Sequence, residues 1–155
     1  MPSEENLVAG HVLDFPGGYT RSLGPVIGRF LTGLRDRRFW GVRAPDGRVI
    51  VPPTEYDPRT GEALGTDDTD FVEVGPRGRV LTWAWVNSPR AGHPLDRPFA
   101  WALITLDGAS TALLHAVDAG HAAMRTGMNV RPRWSAERTG GVLDIACFEP
   151  AGEQP

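Results

Sequence analysis

Four histidines are the side chains of this 155-residue chain that could act as bases near neutral pH. His93 lies in the segment SPRAGHPLDRPF, where Asp96 could orient its ring as the second member of a base pair. For this segment we favour a solvated loop that shapes an interface or the mouth of a substrate cavity. His115 is in phase with Leu113 and Val117 along a predicted strand, so we expect a packed ring rather than a base.

The chain has one cysteine, Cys147, which lies between Ala146 and Phe148 in an apolar run. A nucleophilic thiol needs exposure and a lowered pKa, and this environment favours neither, so we expect a buried, unreactive thiol. One cysteine also excludes an internal disulfide, which is typical of a cytoplasmic protein. The motifs GxSxG, GxxxxGK(S/T) and HExxH are absent from the sequence. We therefore predict that this chain supplies no catalytic residue.

The charge balance excludes several classes of partner. The net charge is −3, and all 16 basic residues are arginines. Trp83, Trp85 and Trp101 could stack on nucleic-acid bases, but no basic groove accompanies them, so we expect no nucleic-acid partner. No apolar run approaches the ~20 residues that cross a bilayer, and the N-terminal residues do not resemble a secretory signal. We expect a cytoplasmic protein without a membrane partner.

A single helix is predicted from Ser22 to Phe39. Ser22 can cap its start, and Gly41 is expected to end it. Its apolar residues recur at three- and four-residue spacing and form one stripe: Leu23, Val26, Ile27, Phe30, Leu31 and Leu34. A lone helix of this length is marginal and needs tertiary packing, so we expect the stripe to rest partly on a partner.

Short β-strands are predicted for most of the remaining chain. Residues 42–64 contain two turn signals, PDG and DPRTG, around the short strand Arg48–Val51, and form knuckles too small to bury a core. Further strands are predicted at Phe71–Val74 with Val80–Val86, Phe99–Leu106, Thr111–Val117, Met128–Trp134 and Val142–Phe148. Such a set fits a five-stranded OB-fold barrel, with a small sandwich as the alternative.

The chain is therefore predicted to be mainly β. Its order is a flexible arm at 1–21, an N-terminal helix and ribbon at 22–64, the barrel at 65–150 and a tail at 151–155. Simple alternation places Leu81, Trp83 and Trp85 on one face, which is more apolar than a free-standing barrel requires. We expect a partner interface that includes Leu23, Ile27, Phe30, Leu34, Trp83 and Trp85.

The order of helix, knuckled ribbon and OB barrel resembles the DUF35 family of zinc-ribbon and OB-fold proteins. The segments that carry the resemblance are FLTGLRDRRFWGVR, GRVIVPP, FVEVGPRGRVLTWAWV, FAWALITLDGASTALLHAV and GMNVRPRW. Members of that family have a CxxC on each rubredoxin-like knuckle, whereas the matching positions here are Ala44, Gly47, Asp57 and Thr60. Because structural zinc requires sulfur or imidazole ligands, we expect a degenerate, metal-free ribbon.

The resemblance implies a non-catalytic subunit that forms a heterotetramer with a thiolase-like acyl-CoA enzyme and helps to build its acyl-CoA site. No cofactor is expected. The steroid side-chain aldolase type, which releases propionyl-CoA, is the branch that the sequence resembles. The expected cavity residues are His93, Asp96, Arg97 and Trp101. Open alternatives are a partner of a thiolase or condensing enzyme, an independent enzyme using His93 or His115, a CoA-binding module with Arg131 and Arg133 near phosphates, and a piece of a hydratase fusion.

Overall fold

The computed structural model describes residues 7–13 and 18–152. Within them lie one α-helix, α1 (Gly24–Arg35), and ten β-strands. The strands are β1 (Gly10–Leu13), β2 (Tyr19–Ser22), β3 (Phe39–Arg43), β4 (Val49–Ile50), β5 (Phe71–Val74), β6 (Gly78–Val86), β7 (Phe99–Leu106), β8 (Leu113–Val117), β9 (Asn129–Trp134) and β10 (Ile145–Pro150).

Strands β6 to β10 close into a barrel in the order β10-β8-β7-β6-β9. All neighbouring strands are antiparallel except β8 and β10, which pair in parallel at Val117 and Phe148. This connectivity, with the fifth strand inserted between the third and the fourth, is that of an OB fold. The predicted mainly-β class with a five-stranded barrel is confirmed.

The barrel shares one core with the helix. Alternate residues of β7 are directed inward and are almost fully buried, as the two-residue period of a strand requires. They belong to the same apolar cluster as Phe30, Leu31 and Leu34 of α1. Phe39 joins them, because its ring lies 5.2 Å from that of Trp134 and 6.2 Å from that of Phe148.

The helix is shorter at both ends than the predicted range of Ser22 to Phe39. Ser22 belongs to β2, and Leu23 precedes the first turn without a side-chain cap. At the other end Arg37 adopts a positive φ of 62°, and the amide of Arg38 donates to the Gly33 carbonyl at 2.7 Å. This reversal is a left-handed helix end, so Gly41 is not the stop signal.

The ribbon forms a three-stranded antiparallel sheet in the order β4-β3-β5. Phe71–Val74, predicted within the barrel segment, is therefore the third strand of the ribbon sheet, paired with β3. Arg29 connects α1 to the stretch before β5: its guanidinium forms an ion pair with Asp68 at 2.9 Å and lies 4.8 Å from the centre of the Phe71 ring. Helix and ribbon are thus joined by packing and by charge.

The expectation of an arm with little structure at 1–21 is wrong for the residues that can be checked. Strands β1 and β2 pair as an antiparallel hairpin, with Gly10 opposite Ser22 and His11 opposite Arg21. The hairpin is attached to the helix because the Val8 amide donates to Thr32 Oγ1 at 3.0 Å and the Leu23 amide to the Ala9 carbonyl at 3.1 Å. Residues 1–6 and 14–17 of the predicted arm, and 153–155 of the tail, lie outside the described residues.

Gly78 is the residue at which the barrel closes, since it pairs with Leu106 of β7 and with Val130 of β9. A Cβ atom there would lie 2.7 Å from the Thr105 carbonyl oxygen and 3.2 Å from the Leu106 Cα. We predict that Gly78→Ala lowers the free energy of unfolding by ~1–3 kcal/mol, because backbone must move to admit the methyl group. Urea denaturation measures the change.

The matched control is Gly120→Ala, since a Cβ on Gly120 meets no atom within 4 Å and its φ is −64°. That variant should unfold at the urea concentration of the parent chain or slightly above it. Equal midpoints for the two variants would contradict the closure role of Gly78.

Candidate functional site

The two ribbon knuckles place the four positions that the resemblance matches to zinc ligands in tight turns. The Gly47 amide donates to the Ala44 carbonyl at 2.9 Å, and the Gly61 amide donates to the Asp57 carbonyl at 2.8 Å. Ala44 and Asp57, the first position of each knuckle, are both buried, whereas Gly47 and Thr60 are exposed. Both knuckles therefore have the geometry of tight turns without a metal-binding side chain at their exposed positions.

An ion pair connects the knuckles. Arg48, next to the first knuckle, donates from Nη2 to Asp57 Oδ2 and from Nε to Asp46 Oδ2, both at 2.6 Å. The other oxygen of Asp57 accepts the Arg59 amide at 2.8 Å. The side-chain hydrogen bond from Arg48 also lowers the pKa of Asp46 below its ordinary value. Arg48 thus joins a carboxylate on each knuckle.

The residues at these positions do not fit a zinc ion. They offer one carboxylate, which Arg48 and Arg59 already occupy, and one hydroxyl on Thr60, whereas a closed zinc site needs four donors. Within residues 7–13 and 18–152, no group of three or more His, Cys, Asp or Glu could hold a metal ion.

His115 is a structural residue of the barrel core. Its side chain is 2% exposed, and its ring meets the Phe148 ring edge-on at 5.8 Å. The Ala116 amide donates to Nδ1 at 2.8 Å, and Nε2 lies 3.3 Å from the Val142 carbonyl. An accepting Nδ1 together with a donating Nε2 is the neutral ring, and burial lowers the pKa of His115 below its ordinary value. The expectation of a packed ring with polar neighbours is confirmed.

The long loop, residues 87–98, folds back on the barrel. His93 Nδ1 accepts the Arg90 amide at 3.2 Å, and its ring meets Phe99 and Trp101 edge-on at 5.5 and 5.9 Å. The Asp96 side chain is 97% exposed and its ion-pair partner is Arg97, at 3.8 Å. The hypothetical base pair of His93 with Asp96 is therefore not formed. The four expected cavity residues form two separate pairs, His93 with Trp101 and Asp96 with Arg97.

A network of ion pairs holds this loop against the barrel. Arg97 and Arg133 both donate hydrogen bonds to the Asp118 carboxylate, and the bond from Arg133 is 2.7 Å long. Arg133 also donates to the Glu149 carboxylate, as does Arg131, each at 3.1 Å. Desolvation raises the pKa of Asp118, but the hydrogen bonds from Arg97 and Arg133 outweigh it and hold that pKa below its ordinary value. Arg131 and Arg133, the phosphate-binding candidates, are therefore already paired with carboxylates.

The loop also covers the only thiol. Cys147 is fully buried and packs with Phe99 and Ala116, with Leu95 of the loop and Trp101 against them. Burial raises the pKa of the Cys147 thiol to about 11. The thiol is protonated at neutral pH and out of reach of solvent, as the sequence predicted.

The predicted interface residues divide into two groups. Phe30 and Leu34 are 5% and 0% exposed in the chain's own core, so the expectation that they contact a partner is wrong. Leu23 and Ile27, at the edge of the same stripe, stay partly exposed. Trp83 and Trp85 are also partly exposed, and each meets the His121 ring edge-on, at 5.7 and 5.0 Å.

An apolar band crosses the outside of the barrel, which we call the outer strip: Leu81, Leu103 and Leu114. Leu103 of β7 pairs with Leu114 of β8 on one side and with Thr82, the residue after Leu81, on the other. Leu81 and Leu114 are 56% and 59% exposed. A bulge between Val80 and Thr82 breaks the alternation, so Leu81 does not share a face with the tryptophans as predicted.

Sequence reasoning did not select Leu103 and Leu114. The available signal was the apolar character of FAWALITL and TALLHAV at outward-facing as well as inward-facing positions. The bulge that exposes Leu81 has no signal in the sequence.

Residues 71–135 match the family model of the ChsH2 C-terminal OB-fold domain. This part of the chain therefore resembles the OB-fold domain of that family. A DUF35 domain-containing scaffold protein from Pyrococcus furiosus is 23% identical over 105 residues, which are 67% of this chain and 74% of that protein.

Two solved structures share the DUF35 fold. A DUF35 protein of unknown function from Sulfolobus solfataricus matches with a TM-score of 0.56 and 21% identity over 70% of this chain and 78% of that one. The Ltp2-ChsH2(DUF35) aldolase matches with a TM-score of 0.55 and 21% identity over 79% of this chain and 91% of that one. The resemblance read from the sequence is confirmed.

In the part of the chain that the structure describes, no helix combines the length and the hydropathy that a bilayer crossing requires.

The Asp57 carboxylate should stabilise the ribbon more than Asp46 does, although both bind Arg48. We predict that Asp57→Ala lowers the free energy of unfolding by ~1–3 kcal/mol, because it removes a buried carboxylate and its hydrogen bonds with Arg48 and Arg59. Asp46→Ala is the matched control and should cost much less, since its side chain is half exposed. Urea denaturation of both variants measures the difference, and a larger loss for Asp46→Ala would contradict the bridge between the knuckles.

The lowered pKa of His115 makes stability depend on pH. A histidine in the unfolded chain has a pKa of about 6.5. Just below that pH, His115 is protonated in the unfolded chain but stays neutral in the folded chain. Stability is therefore lost as the pH falls from about 6.5 towards the lower folded pKa, by at most ~1.4 kcal/mol per pH unit. We predict that His115→Gln loses less stability between pH 7 and pH 5 than the parent chain. Parallel curves of unfolding free energy against pH would refute this.

Proposed function

We propose that this protein is an accessory subunit of a thiolase-superfamily enzyme and that the partner carries the catalytic groups. Two comparisons support the proposal by name: one relative is called a scaffold protein, and one structural neighbour is the Ltp2-ChsH2(DUF35) aldolase. Sequence identity of about one fifth supports a shared fold and does not establish a shared partner. Support for association therefore comes from the surface of this chain.

The observation that carries the proposal is the outer strip. Two leucines more than half exposed, with Leu103 between them on the adjoining strand, form a contiguous apolar surface on a sheet that a free subunit would expose to water. Apolar patches with few charges are typical of the buried centre of protein interfaces. Leu23, Ile27, Trp83 and Trp85 stay in the proposed interface as further partly exposed apolar residues.

The titratable groups of the barrel support the proposal that catalysis takes place on the partner and not on this chain. His115 is neutral, buried and bonded to backbone at both nitrogens, and Cys147 is a buried thiol with a raised pKa. Neither can reach a substrate in this conformation. His93 lies in the long loop beside Trp101, where it can line the mouth of a cavity shared with the partner.

The reaction we propose for the complex is retro-aldol cleavage of a steroid side-chain acyl-CoA with release of propionyl-CoA, in a cytoplasmic heterotetramer. A partner of thiolase or condensing type is the alternative. The ion pairs of Arg131 and Arg133 favour these subunit roles over a stand-alone CoA-binding module, because a phosphate would have to displace Glu149 or Asp118.

We predict that Leu114→Asp reduces the amount of partner that co-purifies with the tagged chain by at least about tenfold, because a charge would be buried at the centre of the interface. Tyr56→Asp is the matched control: Tyr56 is 60% exposed on the ribbon, and the same charge is introduced. The partner is captured from the native host and identified by mass spectrometry.

Thermal unfolding of both isolated variants shows whether the fold is kept, which we expect since Leu114 and Tyr56 are both exposed. Undiminished capture by Leu114→Asp would remove the outer strip from the interface. Turnover of an acyl-CoA by the purified chain alone would contradict the accessory role.

A further inference from the structure

A cavity of about 800 Å³ lies between the N-terminal hairpin, the helix and the loop that joins β9 to β10. We propose that it binds a small amphipathic molecule with one apolar body and one anionic head group, such as a medium-chain carboxylate. Cavities of this size are ordinary for small-molecule ligands. The site does not include His93, His115 or Cys147, and it shares Leu23 and Ile27 with the edge of the proposed interface.

The floor and one wall are apolar. Leu23, Ile27 and Leu31 of the helix stripe face Val142 and Leu143 of the loop. Val142 and Leu143 are 50% and 55% exposed, which is unusual for aliphatic residues beside three others. A hydrocarbon body would cover this surface, and each buried methylene would contribute ~0.8 kcal/mol.

The cavity walls are fixed before a ligand arrives. His11 Nε2 bonds the Gly140 carbonyl at 2.8 Å, which ties the hairpin to the loop. The buried Asp144 carboxylate accepts the amides of Thr139, Gly140 and Gly141 at 2.9, 2.7 and 3.2 Å. Since these bonds hold the loop, little ordering entropy would be lost on binding.

The charge at the hairpin selects the head group. Arg21 lines the cavity as the cross-strand neighbour of His11. Among the described residues no carboxylate forms an ion pair with Arg21. Glu137 on the loop side and the occupied Asp144 disfavour a second negative charge. One guanidinium therefore suits a single carboxylate better than a polyphosphate.

The test is a titration of the ¹⁵N-labelled chain with decanoate, followed by amide chemical shifts. We expect saturable shifts at Gly10, Ile27 and Gly141, and an affinity at least about fivefold weaker in Arg21→Gln, the scale of one solvent-exposed charge-assisted bond. Leu143→Asp should also weaken binding, and this exposed position tolerates a charge without loss of the fold. Arg59→Gln, which removes an exposed arginine on the ribbon, should bind as the parent does.

Decyltrimethylammonium has the same chain length and the opposite charge, and we expect it to bind at least about fivefold more weakly than decanoate. Equal affinity for the two probes would overturn the anionic preference. Shifts confined to residues outside the cavity, or unchanged decanoate affinity in Arg21→Gln, would overturn the site. Because the isolated chain is used, the result does not depend on the partner subunit.

Discussion

The apolar contact between α1 and the barrel is the interaction on which the rest of the structure depends. Phe30, Leu31 and Leu34 share a cluster with the inward residues of the barrel strands, and Phe39 packs its ring against those of Trp134 and Phe148. A helix of 12 residues would not persist alone. The ribbon, which was expected to be too small to bury a core, packs a second buried cluster against the helix that includes Val26, Trp40 and Phe71. Helix, ribbon and barrel therefore form one cooperative unit around a common core.

That shared core determines where a partner can bind. The helix uses its most apolar face internally, so the surface left for association consists of the stripe edge and the outer wall of the barrel. On that wall the long loop and its arginine–carboxylate chain cover Phe99, Ala116 and Cys147, whereas Leu81 and Leu114 stay open to solvent. The loop therefore covers one part of the outer wall, and the outer strip is the part that stays exposed.

The sequence predicts the barrel well because a two-residue apolar period and glycine turns are local signals. The predicted strands Val80–Val86 and Phe99–Leu106 match β6 and β7 to within two residues. Three features depended on long-range packing: the pairing of β1 with β2, the place of Phe71–Val74 in the ribbon, and the bulge at Leu81. The buried role of His115 followed from strand phase and that of Cys147 from its apolar neighbours. The burial of Phe30 and Leu34 required knowledge of what the helix packs against.

The Arg48–Asp57 pair changes what the ribbon requires from its surroundings. A knuckle held by thiolates is open to oxidation and depends on delivery of a metal ion, whereas a guanidinium–carboxylate bond forms from the chain itself as it folds. Chelators and peroxide have no target at this junction. The stability of this junction therefore depends on charges that the chain itself supplies and not on a bound ion.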